Sequence, residues 1–78
     1  MKKLTEFIVK NITGSEDFEV DEVTEGDRVT LFINASPDIV GLIIGKEGKT
    51  IKNIRRIVSV KATLLKKALD ISVSESQA

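Results

Sequence analysis

Two glycines three residues apart, Gly45 and Gly48, stand between two apolar segments that both read as helix. Ser36-Pro37-Asp38 opens the first of these. Serine suits the cap, proline the first helical position, and aspartate the positive helix end. That helix is predicted to run to about Ile43 and to break at Gly45. A long helix follows, from near Lys49 to about Lys67. Glycine carries no Cβ, so the loop backbone can come very close to a ligand. The loop also ends where a helix starts, so unpaired N–H groups and the positive helix end face one spot. A sugar-phosphate chain is the kind of ligand that needs such an approach.

The remaining elements follow from periodicity. Leu4, Phe7, Ile8 and Ile12 recur at helical spacing and predict a helix over Lys3 to Asn11, closed by Gly14-Ser15. Phe18, Val20 and Val23 suggest a strand, and Glu25-Gly26-Asp27 has turn chemistry between two extended runs. Val29, Leu31, Ile33 and Ala35 alternate with Arg28, Thr30, Phe32 and Asn34, the pattern of a half-buried strand. Leu69, Ile71 and Val73 predict a last strand, and the tail Glu75-Ser76-Gln77-Ala78 reads as frayed. The order is α-β-β-α-α-β. It predicts an α+β fold with helices on one face of a small three-stranded sheet, expected to be antiparallel.

The 78 residues suffice for one domain, taken as 1–78. A chain of this size buries only about 60% of the surface its unfolded form exposes, so a partner subunit would add stability. There is no cysteine and no histidine, which excludes disulfides, thiolate chemistry and imidazole catalysis; no metal or other cofactor is expected. No apolar run reaches the ~20 residues of a membrane span, and no signal peptide is visible, so a cytoplasmic location is the default expectation.

Net charge is zero but segregated. Residues 1–44 hold four cations against nine carboxylates, net −5. Residues 45–68 hold eight cations against Glu47 alone, net +7. A basic segment beginning at the glycine loop is what a local phosphate-binding surface produces.

The run Ile44-Gly45-Lys46-Glu47-Gly48, set in this element order, resembles the signature of a type II KH domain. Two further stretches, Leu4-Thr5-Glu6-Phe7-Ile8-Val9 and Ala35-Ser36-Pro37, make the chain similar to the small single-KH bacterial RNA-binding proteins of the KhpA family. The resemblance implies single-stranded RNA as ligand, with the G-x-x-G loop clamping about four nucleotides. Gly45 and Gly48 would turn backbone amides towards phosphates, while Lys46, Lys49, Lys52, Arg55 and Arg56 would add charge. Val40, Ile43, Ile44 and Ile51 flank the loop, where KH domains carry an apolar floor for bases; Ile44 is the one expected to be buried. Phe32 or Asn34 would line the opposite wall. Glu47 departs from what a phosphate clamp prefers, since a carboxylate there repels phosphate by about 1 kcal/mol in high dielectric. Weak, salt-sensitive binding is expected.

At about 100° per residue, Ile51, Ile54, Val58, Ala62 and Leu65 of the long helix fall on one stripe, assigned to the core. Ile57, Val60 and Leu64 form a second apolar stripe away from it, and a small monomer has little reason to expose it. It is expected to serve as a homodimer or partner surface. The family resemblance implies both a homodimer and pairing with a larger Jag-type (KhpB) KH protein.

Other readings fit less well. Gly48-Lys49-Thr50 ends like a P-loop, but that motif needs glycine where Ile43 stands. A helix-turn-helix DNA binder would share the turn and basic helix, but the hairpin and last strand suit a KH sheet better. A protein-interaction subunit with a vestigial RNA groove would fit Glu47 and the apolar stripe. No nucleophile stands with a recognisable base, so neither an enzyme nor a small-molecule substrate is expected.

Overall fold

The computed structural model describes residues 1–76. Its elements are α1 (Lys2–Thr13), β1 (Phe18–Glu25), β2 (Arg28–Ala35), α2 (Pro37–Ile44), a short 3-10 turn (Lys46–Gly48), α3 (Lys49–Leu64) and β3 (Ala68–Glu75). The order α-β-β-α-α-β and the α+β class are those expected from the sequence.

The sheet has the order β1-β2-β3, with β2 in the centre. β1 and β2 form an antiparallel hairpin through Gly26 and Asp27, and Gly26 takes the left-handed conformation with φ 58°. β2 and β3 are parallel, with Leu31 beside Ile71 and Ile33 beside Val73. The expected antiparallel sheet is therefore corrected to a mixed one. Parallel neighbours need a long crossover, and two helices lie between β2 and β3.

Val29, Leu31, Ile33 and Ala35 of β2 are all buried, as their alternation predicts. Ile8 and Val9 of α1, Val20 of β1, Val40 and Ile43 of α2, and Ile54 and Val58 of α3 close over them. Arg28 and Phe32 lie exposed on the other face of the sheet. On α1 the buried face is Thr5, Ile8 and Val9, while Phe7 and Ile12 are exposed. The helix is anchored by the Lys2 amide, which donates to Glu22 Oε1 at 3.1 Å. A carboxylate there also suits the positive helix end.

Three local expectations need revision. Ser36 occupies the cap of α2 without a side-chain capping bond; the first turn closes through the Val40 amide on the Ser36 carbonyl at 2.9 Å. α3 ends at Leu64 rather than Lys67, because Lys66 adopts a left-handed φ of 56° and the Lys67 amide turns back to the Ala62 carbonyl. Leu65 consequently leaves the core stripe and is half exposed. At the C-terminus, Glu75 belongs to β3 and the Ser76 amide donates to the Ala35 carbonyl at 2.8 Å, so the expected fraying does not begin there. Gln77 and Ala78 lie outside the described residues. Among the described residues, no helix is long and apolar enough to cross a membrane.

Candidate nucleic-acid interface

α2 delivers the chain to Gly45, whose amide closes the helix on the Gly41 carbonyl at 2.9 Å. Gly45 then has φ 74° and ψ 176°, a combination open essentially to glycine alone. A second constraint acts at the same position. A Cβ on Gly45 would meet the Thr50 side chain, with Oγ1 2.1 Å and Cβ 2.6 Å away. Glycine is thus required here twice, by backbone conformation and by close approach to the first turn of α3.

Gly48 is left-handed as well, with φ 73° and ψ 15°, but the space around it is open. Its amide donates to the Gly45 carbonyl at 3.2 Å, which closes the turn. Between them Glu47 is left-handed too, with φ 58° and ψ 23°. A non-glycine residue there carries strain of about 1–2 kcal/mol. The turn therefore exposes Lys46 and Glu47 at its tip, directly before the first turn of α3. The amides of Gly45, Gly48 and Lys49 are taken up by the Gly41, Gly45 and Lys46 carbonyls, so the two glycines do not turn free amides outward as expected. What remains for an anion here is the positive end of α3 with the exposed Lys46 and Lys49.

Around the loop, the expected apolar floor is rearranged. Ile44, expected to be buried, is 38% exposed, whereas Ile43 is fully buried and Val40 is 8% exposed. Val40 and Ile43 are therefore core residues and not groove lining. The phase of α2 decides this: Val40 and Ile43 share its inner face, and Ile44 lies at its end. Ile51 is half-buried and packs against the core edge. Leu42, not singled out in the sequence, is half exposed on the turn before the loop. Its signal was the unbroken apolar run of α2, which a two-turn helix cannot bury on all sides.

Lys46, Lys49, Lys52, Arg55 and Arg56 are all exposed, and none takes part in a salt bridge among the described residues. Phe32 and Asn34 lie on the sheet face away from the helices, and Asn34 Oδ1 accepts a bond from Ser74 Oγ at 2.5 Å. The structure does not bring them onto the helical side with the loop.

Ile57, Val60 and Leu64 are 50%, 60% and 75% exposed, while Ile54, Val58 and Ala62 are buried. The two stripes read from the sequence are thus distinct faces of α3, apart from Leu65. A shallow hollow lined by Arg56, Ser59, Val60, Thr63 and Leu64 marks the outer one.

Two antiparallel strands, a parallel third strand reached through two helices, and a glycine-bounded turn between those helices define a type II KH domain. A family model described as "KhpA/KhpB, KH domain" matches residues 2–75. Among curated proteins, the chain is 38% identical over 63 residues to RNA-binding protein KhpA of Clostridium perfringens, covering 80% of this chain and 84% of that protein. It is 31% identical over 74 residues to RNA-binding protein KhpA of Clostridium acetobutylicum, covering 94% and 99%. Identity to RNA-binding protein KhpA of Halalkalibacterium halodurans is also 31% over 74 residues, covering 94% and 97%. The chain belongs to the KhpA/KhpB family of KH domains.

Proposed function

We propose that this protein binds single-stranded RNA by clamping its backbone at Gly45-Lys46-Glu47-Gly48. The observation that carries the reading is Gly45, held in a glycine-only conformation against Thr50 so that the turn presents its backbone at the start of α3. Lys46, Lys49, Lys52, Arg55 and Arg56 supply phosphate charge, and Ile44 and Ile51 supply apolar surface for bases. KH-type loops of this kind hold about four nucleotides. The reading includes a cytoplasmic setting and a role in regulating or chaperoning transcripts rather than in chemistry.

The protein works as a homodimer, or with a Jag-type KhpB partner, through Ile57, Val60 and Leu64. The exposure of all three on one helix face supports this reading. Influence on cell shape or division would follow through such a partner.

The test is fluorescence anisotropy with a labelled oligouridylate across a salt series. Wild type is compared with a variant carrying Lys46→Asp and Glu47→Asp, both checked by circular dichroism. Binding should weaken with salt, with a log–log slope of about 0.7 per neutralised phosphate. It should be lost in the variant. Equal binding by both folded proteins would contradict the clamp.

A further inference from the structure

The outward face of α3 is divided along its length. Lys49, Lys52, Arg55 and Arg56 occupy the N-terminal half, and Ile57, Val60 and Leu64 the C-terminal half. The helix also carries Lys61 and no carboxylate between Lys49 and Leu64. Around the axis, counting about 100° per residue, Lys49, Lys52 and Arg56 lie on one flank of the apolar stripe and Lys61 on the other, while Arg55 points nearly opposite the stripe.

These facts constrain how a second copy can pack. A parallel pair would set the two basic halves against each other with no acid to compensate. An antiparallel pair centred near Val60 sets Ile57 of one copy against Leu64 of the other and keeps the basic halves at opposite ends. The aliphatic strip is narrow, so this association is weak and concentration-dependent. A stable interface usually covers about 800 Å² on each partner.

Antiparallel helices packed side by side are exchanged by a two-fold axis perpendicular to both helices and to the line joining them. That rotation keeps each flank on its own side of the pair. The Lys49–Lys52–Arg56 flanks of both copies therefore fall on one face. The same geometry brings Lys66 of each copy, exposed and left-handed at the end of α3, beside the basic half of the other. At 1.5 Å per residue, the two glycine loops stand about 37 Å apart along this face. The rotation also reverses any direction lying within the face. A strand held there by one loop is matched by a strand held by the other loop and running the opposite way.

We propose that the dimer holds two single-stranded RNA segments antiparallel on one composite basic face and thereby accelerates their pairing. This rests on the RNA clamp and α3 association proposed above. Antiparallel placement is the orientation a duplex requires, and the shared cations offset the mutual repulsion of the two phosphate chains. Tethering both segments also replaces a bimolecular encounter with a local one.

The experiment measures annealing of two complementary RNAs of about 20 nucleotides, one carrying a donor and the other an acceptor fluorophore; each is long enough to exceed the ~4 nucleotides one loop holds. Stopped-flow rates are taken at protein concentrations that span self-association, followed by sedimentation on the same samples. Wild type should accelerate annealing about tenfold or more, in step with the dimer fraction. Leu64→Asp should remain folded and bind a six-nucleotide oligouridylate, a probe sized to one loop of ~4 nucleotides, like wild type, yet give no acceleration. Val60→Asp serves as a second variant of the same design. Acceleration by these monomeric variants equal to wild type would overturn the proposal. So would an unchanged rate with wild type that is dimeric and RNA-bound in the parallel measurements. Failure to bind the short oligouridylate would instead remove the clamp, and a monomer at every concentration would remove the dimer; either also overturns the proposal.

Discussion

The two halves of α3's outward face differ in every respect that governs association. The N-terminal half offers four exposed cations beside the glycine-bounded turn. The C-terminal half offers three aliphatics that are 50–75% exposed. Charge attracts a polyanion and is weakened by salt. Apolar surface attracts another apolar surface and is not weakened that way. One helix of 16 residues thus carries two surfaces that respond differently to salt. The buried stripe of Ile54, Val58 and Ala62 fixes both faces relative to the sheet.

The largest effect should come from Gly45→Ala. It forces a Cβ into Thr50 and a side chain into a glycine-only conformation. RNA affinity in anisotropy should fall more than tenfold, with a stability loss of about 1–3 kcal/mol in urea denaturation. Gly48→Ala meets open space and pays only the left-handed penalty of about 1–2 kcal/mol, so its RNA defect should be smaller. Equal defects would break the argument that Gly45 fixes the turn.

Val60→Asp comes next and separates the halves. Sedimentation should show a monomer, short-RNA affinity should stay at the wild-type level, and stability should change by less than about 0.5 kcal/mol for so exposed a site. Loss of RNA binding by this folded variant would show that the two halves are not independent.

Glu47→Gln should sharpen the electrostatic account. Removing about 1 kcal/mol of repulsion should raise RNA affinity about fivefold at low salt, with the gain shrinking as salt is added. Unchanged affinity would mean that the carboxylate points away from the strand.

The smallest effect is expected far from α3. Lys10 hydrogen-bonds Glu16 at 2.6 Å and holds its carboxyl below the ordinary range. A lowered folded-state pKa adds stability above the unfolded-state value, and that stability is lost as pH falls through the folded-state value. The pair is exposed, so Glu16→Gln should leave Tm at pH 7 nearly unchanged and only slightly flatten its fall in acid.

Much of this was legible in the sequence. Val29, Leu31, Ile33 and Ala35 alternated so cleanly that the central strand and its buried face followed at once. The two stripes of α3 followed from the helical period, as did the glycine-bounded turn from its spacing. What was hidden has physical causes. Strand direction does not show in alternation, and the parallel β2–β3 pair follows from the long crossover. The end of α3 was invisible because a lysine, Lys66, takes the left-handed position where glycine usually gives the signal. Ile43 and Ile44 are chemically alike, so only the phase of α2 against the core could tell which is buried. The contact between Gly45 and Thr50 also lies beyond sequence, because it depends on how the turn folds back onto α3.

The most direct test of the two-halves account is amide chemical-shift mapping of the isotopically labelled protein. One titration adds a short oligouridylate; the other dilutes the protein alone. The account predicts RNA-induced shifts at Gly45–Lys49 and on to Arg56, and dilution-induced shifts centred on Ile57, Val60 and Leu64. RNA-induced shifts centred on the outer sheet face around Phe32, or on the apolar half of α3, would contradict it.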